Sequence, residues 1–145
     1  MTTSNNTMTT TRSKKALYWV TTGFGAFALT AIGAADLVRV PSVIQGLTHL
    51  GYPSYLATIL GAWKLLGVAA IVAPGLPRVK EWAYAGIFFT LTGAAMSHAA
   101  SGDPAGNILF PLVLLGVVVA SWLLRPAREA VVVEELPARN TAQAS

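Results

Sequence analysis

Apolar positions along this chain come in long runs, and nearly all of the charge lies outside them. Residues 17–35 carry no charge, and nineteen residues at a helical rise reach roughly 28 Å, close to the hydrocarbon thickness of about 30 Å. A second run, 55–73, is interrupted only by Lys64 and stops at Pro74-Gly75-Leu76-Pro77. The third, 83–100, stops at Ser101-Gly102-Asp103-Pro104, and the fourth, 108–124, ends at Arg125-Pro126. The pattern predicts an all-α protein, a four-transmembrane-helix bundle. Between spans 1 and 2, Val43, Ile44, Leu47 and Leu50 fall on one helical face. That stretch is too short to cross a bilayer and reads as an interfacial or re-entrant helix. A cleaved signal peptide is the alternative for the first run, with Gly33-Ala34-Ala35 as the small-residue site. The run is longer than an ordinary signal core, and three more spans follow it.

Residues 1–13 include ten Thr, Ser or Asn and show no apolar period. Residues 1–15 are therefore expected to be a disordered tail, residues 16–126 the membrane domain, and residues 127–145 a second, charged disordered tail. Val131-Val132-Val133 is a short β-prone exception without an assignment. The composition agrees, since 54% of the chain is apolar and 11% charged, too little charge to cover a soluble domain. The net charge of +4 does not form a stripe for nucleic acid, because the basic residues flank the apolar runs. In a four-span arrangement Arg12, Lys14, Lys15, Arg78, Lys80, Arg125, Arg128 and Arg139 share one side, and Arg39 alone takes the other. Both termini are then expected in the cytoplasm of a bacterial inner-membrane protein. Cysteine is absent, which excludes thiolate catalysis, disulfides, zinc–thiolate sites and iron–sulfur clusters.

Four residues are the candidate ligand-binding set: Lys64, His98, Asp36 and Trp63. Lys64 sits mid-span, where a charge costs about 2.5–3.5 kcal/mol on insertion scales unless something offsets it. Gly61 and Gly67 flank it and permit close approach by a neighbouring helix. Two readings follow: an anion, proton or headgroup site, or an interhelical lysine paired with a carboxylate. Asp36, at the outer end of span 1, is the expected partner. His98 follows Gly86, Thr90 and Ala94 at four-residue steps, so it is expected to face the bundle or its outer mouth. An imidazole there can shuttle a proton, bind a ligand or simply pack. Trp63, next to Lys64, either faces lipid or closes one wall of the pocket. His49 is expected to anchor the turn that follows it, and Asp103 to cap the fourth span. Haem between His49 and His98 is disfavoured because His49 lies in a connecting segment, and Asp36, His49, His98 and Asp103 lack a recognised metal-ligand spacing. Gly23-Phe24-Gly25 lacks the third glycine of a dinucleotide fingerprint and reads as packing. Tyr18, Trp19, Tyr52, Tyr55, Trp82, Tyr84 and Trp122 cluster near span ends, as aromatic belts do.

Four blocks, His49-Leu-Gly-Tyr-Pro53, Gly61-Ala-Trp-Lys-Leu-Leu-Gly67, Pro74-Gly-Leu-Pro-Arg-Val-Lys-Glu-Trp-Ala-Tyr-Ala-Gly86 and Ser97-His-Ala-Ala-Ser-Gly-Asp103, carry a resemblance. Between Tyr18 and Pro126 the chain resembles the DoxX-like family of small bacterial membrane proteins. The resemblance implies a four-helix membrane bundle. It also implies an association with quinone-linked sulfur oxidation or with membrane redox complexes, although a chain without cysteine is a poor candidate for direct sulfur chemistry. The expected function is an accessory or ligand-binding bundle with an outward polar pocket that holds a lipid headgroup, a quinone or a partner's side chain. A quinone-handling subunit of a membrane oxidoreductase complex is the alternative. A small transporter is a further one, and it requires a homo-oligomer to enclose a path. Whether a reaction is catalysed stays open.

Overall fold

The computed structural model describes residues 3–125. It contains five helices: α1 (Thr3–Leu37), α2 (Pro41–His49), α3 (Leu56–Val72), α4 (Pro77–Ala100) and α5 (Ala105–Leu123). No strand occurs among the described residues. The four longer helices pack in a ring, α1 and α4 each lying against both α3 and α5, while the short α2 rests on α1 and α3. The described part of the first span, Ser13–Leu37, and all of α5 are long and apolar enough to cross a membrane. α3 is apolar but has 17 residues. α4 has 24, diluted by Arg78, Lys80, Glu81 and many small residues.

Observed and expected elements coincide closely for α2, α3 and α5. α4 starts at Pro77, six residues ahead of the apolar run, because Pro77 occupies the first helical turn, where its missing N–H costs nothing. α1 is helical from Thr3, inside the segment expected to lack structure. Adding residues to an established helix needs no new nucleus, so polar composition alone is a poor stop signal. The C-terminal tail, residues 127–145, with Val131-Val132-Val133, lies outside the described residues.

Three connections close alike. After α1, α2 and α4 the chain makes paired backbone bonds: Arg39 N–H to Asp36 and Val40 N–H to Ala35, Gly51 to Thr48 and Tyr52 to Leu47, Gly102 to Ala99 and Asp103 to His98. This is the Schellman closure, which needs a left-handed residue at its corner. Gly51 and Gly102 supply it at φ +81° and +71°. At the first corner Arg39 takes φ +55° without that freedom, and its guanidinium donates to Ser54 Oγ at 2.9 Å.

The core is small. Leu29, Ile71, Tyr84, Ile87, Leu91, Leu114 and Val118 form its cluster. Far more apolar surface faces outward, including Phe24, Phe27, Trp63, Leu66, Trp82, Phe89, Met96, Phe110 and Val113. Helices that are apolar on their outer surface as well as their inner one suit hydrocarbon rather than water. Of the aromatics expected at span ends, Trp19, Trp82, Tyr52, Tyr55 and Trp122 are exposed, whereas Tyr18 and Tyr84 are buried. Tyr84 turns inward because its hydroxyl bonds Ser121 Oγ at 2.9 Å, and Ser121 also meets Thr22 Oγ1 at 2.6 Å.

Candidate functional site

α1 and α3 come together through glycine. A Cβ built on Gly61 would stand 2.7 Å from the carbonyl oxygen of Gly33 and 2.9 Å from Leu37. Only hydrogen at position 61 permits this approach, while a Cβ at Gly33 would be tight, 3.1 Å from Lys64 Cβ; the crossing lies one helical turn from Asp36 on α1 and from Lys64 on α3. The Lys64 ammonium then reaches Asp36 Oδ2 at 2.5 Å, with both side chains largely buried. Pairing offsets part of the penalty of a mid-helix charge. Gly67, on the other side of Lys64, faces Ile87 of α4 instead, where an added Cβ would make ordinary contact at 3.5 Å. The two glycines thus serve different neighbours.

A second cluster lies where α2, the end of α4 and the α4–α5 turn converge. The Schellman closure of α4 places Asp103 beside His98. Asp103 Oδ2 meets His98 Nδ1 at 2.6 Å, and Oδ1 meets His49 Nε2 at 2.6 Å. Asp103 therefore bridges two imidazoles and does not cap α5; Pro104 stands at that cap without a side-chain bond. A carboxylate facing two ring nitrogens gains more than it would from one amide. These bonds, His98 first and His49 second, hold the Asp103 carboxyl below its ordinary value. His49 ends α2 and tethers it, as expected of an anchor. Beside it the Tyr52 hydroxyl meets Ser97 Oγ at 2.8 Å, and Ser97 itself donates to the Gly93 carbonyl.

Between these clusters lies a cavity of about 390 Å³, roofed by Leu47, Leu50 and Tyr52 and walled by Leu56, Leu60, Leu91, Phe110, Pro111 and Leu114. Lys64, Ser97 and His98 are among the residues that line it. A second cavity of about 420 Å³ runs between α3 and α4 past Trp63, Gly67, Ala70, Trp82 and Gly86, and it too is lined by Lys64. Lys64 and His98 thus share one cavity, while Trp63, 68% exposed, belongs to the rim of the other. Asp36 lines neither; it backs Lys64 from α1. Among the described residues no three of His, Asp and Glu are grouped to hold a metal ion.

The model of the DoxX-like family matches residues 20–121. The chain belongs to this family. Membership, with two helices able to cross a bilayer, makes it a DoxX-like membrane protein. No curated protein and no solved structure matches it. The matched region contains both clusters and both cavities of this DoxX-like chain.

Several of its polar contacts were not anticipated. At the opposite end from His98, Glu81 accepts from Trp122 Nε1 at 2.9 Å and from Arg125, whose guanidinium lies over the Tyr84 ring. Lys80, one of the basic residues flanking the apolar runs, is buried. Thr22 and Ser121 look like ordinary small residues of apolar spans. Their only sequence signal is a hydroxyl inside an uncharged, mostly apolar run.

Proposed function

We propose that residues 16–126 form a four-span bundle in a bacterial cytoplasmic membrane, with both termini in the cytoplasm, that holds an amphipathic small molecule by its polar head in the cavity beneath α2. The observation that carries this reading is that Lys64 and His98 line one mainly apolar cavity. An ammonium has three donors, and among the described residues only Asp36 accepts from it. Two N–H groups remain for a ligand. Because Asp36 already balances the charge, the favoured head is a neutral acceptor such as a carbonyl or ester oxygen rather than a full anion. α2 forms the roof, and its tether to Asp103 sets how readily the roof opens.

A quinone-handling subunit is the second reading. It is favoured by His98, an imidazole that lines the cavity and is backed by a carboxylate, an arrangement suited to exchanging a proton with a ring oxygen. The electron chemistry would be the quinone's own.

The test is mass spectrometry of small molecules retained after gentle solubilisation of wild type and Lys64→Met. Wild type is expected to carry a lipid or quinone that the folded variant loses. Equal retention in both removes Lys64 from the site. A visible haem or flavin spectrum would replace the binding role with a redox one.

A further inference from the structure

We infer that the groove between α3 and α4 takes the single apolar tail of the ligand, so that the ligand class is a carbonyl-headed, single-chain amphiphile. The inference rests on the reading of the Lys64 cavity as the head site. Both cavities are lined by Leu29, Leu60, Lys64, Thr90 and Leu91 and therefore meet along one seam. The head cavity lies toward the start of α3 and the end of α4, and the groove runs the other way, past Gly67, Ala70, Val79 and Gly86. A molecule with its head beneath α2 therefore directs its tail down the groove, past mid-span and toward the α3–α4 turn. The groove is lined almost wholly by apolar groups, with Lys64 at the seam and the Thr90 hydroxyl already donating to the Gly86 carbonyl. Its floor is open at Gly86, where an added Cβ meets nothing within 4 Å. Trp63 and Trp82 stand exposed at its rim. Beyond Lys64 at the seam and the indole N–H groups of Trp63 and Trp82 at the rim, its lining offers no free side-chain donor, so an apolar chain rather than a second head group matches its chemistry.

The test uses the full chain in lipid nanodiscs and three probes: a dimethoxy-methyl-benzoquinone with a decyl chain, the same quinone without a chain, and monodecanoylglycerol. With each probe's concentration counted per lipid, so that partition into the bilayer cancels, wild type is expected to bind the chain-bearing quinone roughly threefold or more tighter than the chainless one, because a formed groove packs the chain more closely than lipid does. Gly86→Phe fills the groove and is expected to abolish that preference while chainless binding stays within about twofold. Should Gly86→Phe not fold, Ala70→Phe fills the same groove from α3. A preference that survives in a folded groove variant overturns the inference and leaves the head site standing. Loss of every probe's binding in folded Lys64→Met supports the head site; unchanged binding there overturns that reading separately. Tight binding of either chain-bearing probe supports the inference, the quinone assigning a ring carbonyl and the glyceride an ester.

Discussion

Lys64 Nζ and Asp36 Oδ2 stand 2.5 Å apart on two helices whose backbones meet at Gly61 and Gly33. A buried pair of this kind is worth little against an apolar pair of similar volume, but half of it is costly. Asp36→Ala should therefore destabilise the protein by about 3–5 kcal/mol, while Asp36→Leu with Lys64→Met should be close to neutral. Thermal or denaturant unfolding in detergent reads both. A single Asp36 variant as stable as wild type would show the pair to be dispensable.

Glycine at 61 is the condition for that pair. Gly61→Val should cost about 1–3 kcal/mol through overpacking and should also weaken the pair by separating α1 from α3. Gly23→Ala is the control, since its Cβ meets nothing within 4 Å, and it should be neutral or stabilise by about 0.5–1 kcal/mol. The order of unfolding midpoints checks this, and Gly61→Val matching Gly23→Ala would contradict the crossing.

Acid should loosen the roof. The Asp103 carboxyl is held below its ordinary value by His98 and His49. A lowered carboxyl contributes its full stability above the unfolded value, about 3.9, and loses it as pH falls through the lowered folded value. The midpoint difference between wild type and Asp103→Asn should thus shrink on the acid side of about pH 3.9. Melting curves on descending pH measure it. A difference that widens there would reverse the sign of the assignment.

Orientation is open to reporter fusions. With basic residues at the α3–α4 turn and beyond α5, a fluorescent protein placed after Ser145 should be bright and a periplasmic phosphatase there inactive. The same phosphatase inserted at Gly102 should be active. The reverse pattern would invert every loop.

Much of this was legible along the chain. Proline and glycine mark where α3 and α4 stop, and Lys64 without a polar neighbour on its own helix required a partner elsewhere. Asp36 was identifiable because it is the acidic residue at the outer end of the first span. Asp103 was misread as a cap because local sequence shows only the Pro104 that follows it. The competitors were His98, five positions back on the preceding helix, and His49, 54 positions away. Tyr18 and Tyr84 were assigned to a belt by their position along the helix, whereas burial depends on the azimuth at which each meets a neighbour.

Taken alone, the sequence determined the four long apolar segments and where α3, α4 and α5 stop, though not where α1 and α4 begin, because apolar character and stop signals depend on composition and on residues within a turn or two. Only the tertiary structure decided which helices are neighbours, that Gly33 faces Gly61, that one carboxylate serves two histidines, and that Lys64 stands where two cavities join. Those relations depend on the rotation of each helix about its own axis. A helix that is apolar all round leaves no stripe from which that rotation can be read.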